Sequence, residues 1–398
     1  MMSDKQRIFS VLCFSIFTTV TGVGIVVPLL PVYARQLGAS GFFIGMIFGV
    51  FSISRTVALP WFGALSDRKG RKPFVVVGMI SYTIVSFAFM AAHTVGLLLV
   101  IRFFQGIASA MLMPVLQAYV GEIVPGGRES TWMGTFNMSI FLGLSLGPVI
   151  GGWMNQRWGM DAAFVSMGLL AFAGFLLSLF FLPPTASEPL MQNPQHLGQT
   201  WRKVIKNRRV ASLFAYRFAY TACIGVIWGF LPLYLDTALG FGSSVIGLIV
   251  TTGVFVSGVI QTPMGWFADG ISDKRWLVAA GGACAALALW GYRWADSEMG
   301  FIAASVLFGL GGGMSMPALM GLAVEEGIRL QAMGSVMSLL TMGHSIGMLA
   351  GALVAGLLMD LASLDSAFAA GALFLAVGLC LFWVLGSPTA REGPVDRL

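Results

Sequence analysis

The sequence predicts an all-α integral membrane protein, with twelve transmembrane helices in two pseudo-symmetric six-helix bundles. Three observations predict it. The 398 residues are 57% hydrophobic and only 10% charged, with 51 glycines, whereas soluble domains carry about 25% charged residues and about 7% glycine. Apolar stretches of bilayer length follow one another along the whole chain. The second half of the chain repeats the first. An aromatic content of 12% also excludes a polar, disordered chain. The net charge of +6 would suggest nucleic acid in a soluble protein. Here the placement of the charges matters more than their sum, and no nucleic-acid partner is expected.

The apolar stretches lie at 8–33, 42–65, 74–92, 96–121, 131–154, 161–182, 210–235, 243–268, 276–294, 299–324, 331–358 and 365–386. The first runs past the length of a signal-peptide core and has no small-residue cleavage site behind it. The second and third are joined by a basic loop holding Arg68, Lys69, Arg71 and Lys72. ValProGlyGlyArg at 124–128 separates the fourth from the fifth, and Pro183–Pro184 closes the sixth, both in keeping with the residues that punctuate turns. A polar segment follows, with Arg202, Lys203, Lys206, Arg208 and Arg209. It suits a short basic surface helix and is too small for a domain. The remaining six stretches mirror the first six. Residues 1–182 are therefore expected to form one bundle, 183–209 a cytoplasmic linker and 210–398 the second bundle. Continuous rather than alternating apolarity argues against a barrel.

Orientation follows from the basic residues. The termini and even-numbered connections carry 17 of the 23 Lys and Arg, and the odd-numbered connections carry only Arg35, Arg157 and Arg293. Both termini are expected in the cytoplasm, in a multi-pass protein of the cytoplasmic (inner) membrane. Cys13, Cys223, Cys284 and Cys380 lie in apolar stretches without metal-type or pairing spacing and read as small buried hydrophobes. No GlyLys dipeptide occurs, so no Walker-type phosphate loop exists. No cofactor or metal is expected. His93, His196 and His344 lie on different segments and form no catalytic cluster, so an enzyme is not expected. No sizeable soluble output domain of a sensor fits outside the helices.

The repeat has offsets of 200 to 203. Ile44–Gly45, Gly63 and Asp67 meet Ile246–Gly247, Gly265 and Asp269 at 202. At 203, Gly106, Met113–Pro114 and Glu122 meet Gly309, Met316–Pro317 and Glu325. At 200, Met133–Gly134, Gly143, Ser145, Gly147 and Gly151 meet Met333–Gly334, Gly343, Ser345, Gly347 and Gly351. Parallel repeated halves with a site between them are the layout of a rocking transporter.

GALSDRKGRKP at 63–73 resembles the signature loop of the major facilitator superfamily. RFFQG at 102–106, GLSLGPVIGG at 143–152 and GIVVPLLPVY at 24–33 are similar to patterns of its twelve-helix drug:proton antiporter group. The resemblance implies the major facilitator fold and a conformational latch made from Gly63, Asp67, Arg68, Arg71, Glu122 and Asp269. Gly63 lets a neighbouring helix approach, and Asp67 suits a helix N-terminus, which in the family is the start of the eleventh span, here near Gln331. Arg71 has Glu122 as an ion-pair partner. The second copy, GWFADGISDKR at 265–275, keeps Gly265 and Asp269 but degrades the basic tail, so a weaker latch is expected there. Gly143, Gly147 and Gly151 recur at i+4 and give a smooth groove that Pro148 can bend. The resemblance implies that this seam lies between the halves.

Ionisable groups inside a membrane are costly and usually functional. Arg55 lies in the second stretch beside Ser52 and Ser54. Arg102 shares a face with Gln105 and Ser109, and its resemblance to the antiporter group's arginine implies a cavity role. Arg217 shares a face with Tyr220, Ile224 and Trp228, a cationic and aromatic wall. His344 is central in the eleventh stretch and carries the one intramembrane side chain of a type that could titrate near neutrality. All 17 acidic residues lie in loops, tails or helix ends. Many of the antiporters place a carboxylate within the membrane, and this chain has none.

The expected function is therefore secondary transport by alternating access. Small amphipathic organic molecules would be exported by a monomer driven by protons, with His344, Arg102 or a cytoplasmic-end Glu as the coupling group. The alternatives are an anionic-metabolite exchanger or uniporter using Arg55, Arg102 and Arg217, and the flipping of lipid-type substrates.

Overall fold

A computed structural model describes residues 4–27, 29–39, 41–184, 196–237, 239–241, 243–361 and 366–386. The tail arginines Arg391 and Arg397, and the acidic residues Glu188, Asp365, Glu392 and Asp396, lie outside the described residues. The regular structure among the described residues is helical throughout. The first half runs α1 (Asp4–Val26), α2 (Leu30–Gln36), α3 (Gly41–Lys69), α4 (Lys72–Ala88), α5 (Val95–Ile123), α6 (Glu129–Trp158) and α7 (Met160–Phe181). The amphipathic α8 (His196–Lys206) leads into the second half. That half comprises α9 (Arg208–Thr237), α10 (Ser243–Gly270), α11 (Arg275–Trp294), α12 (Glu298–Leu330), α13 (Met333–Leu361) and α14 (Ser366–Gly386).

Two boundaries differ from the sequence expectation. The stretch 8–33 is divided between α1 and α2, since Pro28 and Pro31 bring no amide hydrogen to a helical ladder. The stretch 74–92 ends in a 3₁₀ turn at Phe89–Ala91. Eleven described helices are long and apolar enough to cross a membrane. The predicted ninth span, α11, is less apolar than these because Arg275, Arg293 and three glycines fall within its 20 residues.

The repeat reaches into the caps. Thr94 opens α5 by accepting the Leu97 amide (3.2 Å), and Ser297, 203 positions on, opens α12 by accepting the Gly300 amide (3.3 Å). Each hydroxyl satisfies one of the amides that a helix start leaves without a partner. Turn chemistry closes the joints at the opposite end. Gly70 and Gly127 adopt φ near +80°, and Gln331 ends α12 in the left-handed region at φ 49°.

The two halves pack alike. In the first, α1 lies against α6 and α7, α3 against α5, and α4 against α5 and α7. In the second, α9 lies against α13 and α14, α10 against α12, and α11 against α12 and α14. Across the halves, α3 meets α13 and α6 meets α10. Lipid tails give no hydrophobic drive between helices, so close backbone approach carries the packing. Exposed tryptophans ring the bundle near both ends, with Trp266 and Trp276 at one and Trp153, Trp158 and Trp294 at the other, as membrane interfaces favour. The end that holds the start of α1, the 69–72 and 271–274 turns and α8 is called the basic end below.

Candidate functional site

At the basic end the start of α6 is in need of acceptors. Its preceding residue, Arg128, supplies no side-chain cap. Asp269, at the end of α10 in the other half, supplies one instead. It accepts the Ser130 amide (2.8 Å), the Thr131 amide (2.7 Å) and the Thr131 hydroxyl (2.6 Å). Asp67, at the end of α3, treats α13 in the same way, accepting the Gly334 amide (2.6 Å), the Ser335 amide (3.0 Å) and the Ser335 hydroxyl (3.0 Å). In both cases a carboxylate of one half meets the positive end of a helix dipole in the other. Close approach makes this possible. A Cβ on Gly63 would stand 2.7 Å from Ser338 Cβ, and one on Gly265 would stand 2.9 Å from Thr131 Cα. Gln331 does not form this contact. It ends α12, and the capped helix starts two residues later.

A cation steadies each carboxylate. Arg71, 3% exposed, bonds Asp67 (2.5 Å), Ser66 (2.6 Å) and Glu122 (2.6 and 2.8 Å). This cluster borders a cavity of about 700 Å³ at the basic end. Arg68 lies nearby, half-buried in the last turn of α3. In the second half Lys274 takes the place of Arg71, 203 positions on. Its ammonium lies 2.6 Å from Glu325, 3.6 Å from Asp269 and 3.8 Å from Glu129. Burial pulls the Lys274 pKa down, but the hydrogen bond to Glu325 and the charges of Glu325, Asp269 and Glu129 outweigh it and raise it above the ordinary lysine value. The expectation of a weaker second contact is therefore corrected, because Asp269 makes as many cross-half hydrogen bonds as Asp67. Reading the 203 offset one residue at a time pairs Arg71 with Lys274. Arg and Lys share charge but not shape, and that difference hid the match. Nothing in the sequence singled out Glu129.

The glycine seam also needs correction. Gly143, Gly147 and Gly151 face α1 of their own half. A Cβ on Gly147 would stand 2.5 Å from Gly24 Cα, one on Gly143 3.0 Å from the Phe17 carbonyl, and one on Gly151 2.5 Å from the Ile25 carbonyl. Pro148 borders the same contact at Gly24. The cross-half face of α6 carries other residues. A Cβ on Gly134 would stand 2.5 Å from the Gln261 carbonyl of α10, and Phe141 packs at Gly258. One helix face cannot serve both neighbours.

The membrane arginines separate into two kinds. Arg102 is 3% exposed and fully engaged within the first half. Its Nε donates to the Ile47 carbonyl (3.0 Å) and its Nη1 to Gln105 (2.6 Å), while Gln105 donates to the Tyr82 hydroxyl (3.0 Å). Its guanidinium also lies 4.4 Å from the Phe51 ring centroid. The cavity role expected for Arg102 and Gln105 is thus replaced by a buried network inside α3, α4 and α5. Arg55 and Arg217 are different. Both are half-buried, and each has a buried Nε without a hydrogen-bond partner. One Arg217 nitrogen reaches the Met316 sulfur (2.7 Å), a weak acceptor. His344 is also half-buried, with an unpartnered, buried Nδ1. Arg55 of α3, Arg217 of α9 and His344 of α13 lie within one another's electrostatic field. Tyr220, on the Arg217 face, is buried and stacks on Phe308 at 5.5 Å.

The family model described as Major Facilitator Superfamily fits residues 12–227 and again 213–397. An uncharacterized MFS-type transporter of Methanocaldococcus jannaschii, MJ1560, is 28% identical over 95% of this chain and 98% of its own. The quinolone resistance protein NorA of Staphylococcus aureus is 31% identical over 178 residues, which is 45% of each chain. The solved structure of the human organic anion transporter MFSD10 superposes with a TM-score of 0.82 over 96% of this chain and 100% of its own, at 17% identity. At that identity the likeness shows the fold alone.

Proposed function

The chain belongs to the major facilitator superfamily, a multi-pass membrane transporter rather than an enzyme, and from that premise we propose an exporter of small amphipathic organic molecules working by alternating access. The pair of dipole caps carries this reading. Asp67 and Asp269 join the halves at one end of the bundle through contacts that a rocking motion can break together, without disturbing the packing inside either half. Asp67, Arg71, Glu122, Gly63 and Arg68, with Asp269 and Lys274 opposite, then act as the latch of one state. The excess of Lys and Arg at that end supports a cytoplasmic location for it and for both termini, in a cytoplasmic (inner) membrane. The cytoplasm-closed state holds the central site toward the outside, where a substrate is released.

Drug-type export is supported by the likeness to NorA over less than half of the chain. A proton gradient is the proposed energy source. His344 is the candidate carrier, because every Asp and Glu among the described residues lies in a turn or toward a helix end. Proteoliposomes test both steps. Efflux of a fluorescent amphipathic dye should follow an imposed pH gradient and stop when the gradient is collapsed. His344→Gln should uncouple flux from the gradient while leaving downhill exchange. Flux indifferent to pH in the unaltered protein would refute proton coupling, and absence of any flux would refute export.

A further inference from the structure

Three ionisable side chains of the apolar helices lie within one another's electrostatic field, and among the described residues each keeps a buried nitrogen without a hydrogen-bond partner. Arg55 belongs to one half, and Arg217 and His344 belong to the other. The fold elsewhere pairs its buried cations thoroughly. Arg102 finds a carbonyl and an amide oxygen, and Arg71 finds two carboxylates and a hydroxyl. Arg55 and Arg217 instead keep buried Nε–H groups without acceptors, and His344 keeps a bare Nδ1. Buried polar atoms are nearly always satisfied, and a buried donor left without an acceptor is costly. A missing acceptor is the simplest account of the cluster.

We propose that Arg55 and Arg217 together bind the head group of an organic anion, a carboxylate carried on an apolar aromatic body. The proposal rests on the transporter reading above and narrows its substrate class. One carboxylate has about four lone-pair sites and can accept from two guanidinium forks at once, so a single head group satisfies both arginines. His344 Nδ1 adds a third polar contact on the same side. The body has a place to lie. Ile224 and Trp228 share the face of α9 that carries Arg217, and Trp228 is 40% exposed. With Phe141 of the other half, Tyr220 and Phe308, they border an aromatic cavity of about 30 Å³. That volume is too small for the ligand in this state, but Phe141 borders it and also makes the cross-half contact at Gly258, so separation of the halves would enlarge it. Binding and rocking are linked, because an anion held by one arginine from each half pulls together two groups that otherwise repel.

A matched series of head groups tests this on the purified, full-length protein in lipid nanodiscs. Naphthalene-2-carboxylate, 2-naphthamide and 2-naphthylmethylamine share one body and carry charges of −1, 0 and +1 at neutral pH. Titration calorimetry should show the carboxylate binding at least tenfold more tightly than the amide, with the amine weakest. Arg55→Gln and Arg217→Gln should each weaken carboxylate binding at least tenfold and amide binding by far less, and the amide binding that remains also reports that the variants are folded. Equal or tighter binding of the amide or amine to the unaltered protein overturns the proposal, and so does carboxylate binding that either Gln variant retains. Flux of the same three compounds in proteoliposomes separates the two readings. Amide or amine flux without carboxylate flux refutes the anion site and leaves the exporter. Arginine-dependent carboxylate binding with no flux of any of the three refutes the exporter and leaves the site.

Discussion

Replacing Asp67 by Ala removes the carboxylate that caps α13 across the halves. Three hydrogen bonds are lost, from Gly334 N, Ser335 N and Ser335 Oγ at 2.6 to 3.0 Å. A hydrogen bond to a charged group contributes about 1.5–3 kcal/mol, and three that share one acceptor are not additive. A loss of roughly 3–4 kcal/mol in the closed state is therefore expected, a population shift on the order of 10²- to 10³-fold. The open state loses nothing comparable, since water solvates the carboxylate there. Spin labels at Lys69 and Ile328, both exposed at the basic end, report the separation of the halves once Cys13, Cys223, Cys284 and Cys380 are replaced. Asp67→Ala should convert a short, narrow distance distribution into a longer and broader one, and Asp67→Asn should fall between. Asp269→Ala should do as much, since it removes three bonds of the same kind. A distribution unchanged by Asp67→Ala would refute the argument that these caps hold the halves together.

Lys274→Ala leaves Glu129, Asp269 and Glu325 without their shared cation, and the cost stays below the roughly 3–5 kcal/mol of breaking a fully buried pair, because the hydrogen-bonded partner Glu325 is 46% exposed and water screens it. Labels at Arg128 and Ser272 should separate in that variant and stay close in Lys274→Arg. The raised pKa of Lys274 sets the sign of its pH dependence. Its contribution is complete below the ordinary lysine value of 10.5 and is lost only as pH climbs through the raised value. The same two labels should therefore stay close from pH 6 to 9, and separation inside that window would show that a carboxylate controls the contact. At the α1–α6 seam, Gly147→Ala would press a Cβ within 2.5 Å of Gly24 Cα, backbone against backbone, whereas Gly152→Ala meets nothing within 4 Å. Overpacking costs about 1–3 kcal/mol, so thermal unfolding in detergent should fall for Gly147→Ala and stay at the parent value for Gly152→Ala. Arg102→Lys cannot reach Ile47 O and Gln105 Oε1 with one fork, and it should lower the same unfolding temperature while sparing the cross-half distances.

The spans, their order and the duplication were legible in the sequence because they are local properties. Twenty apolar residues read as a helix wherever they pack, and Asp67 and Asp269 recur at a fixed offset regardless of what they touch. The glycines of α6 were legible as a groove, but their partner was not. Residues 143, 147 and 151 define a face, and the rotation of α6 decides whether that face meets α1 or α10. The same holds for the arginines. By composition alone Arg55, Arg102 and Arg217 are three equal charges in apolar stretches.

The amino-acid sequence by itself determined a helical, duplicated membrane protein with its basic residues gathered at one end, because hydropathy and charge act residue by residue. Only the tertiary structure decided which charges are satisfied. It brings a carbonyl and Gln105 to Arg102, and the start of α6 to Asp269, while leaving a buried nitrogen of Arg55, of Arg217 and of His344 without a hydrogen-bond partner, on three helices more than a hundred residues apart in the chain. The pairing of a charge depends on what lies within a few ångströms of it in space, and that distance is set by helix rotation and packing.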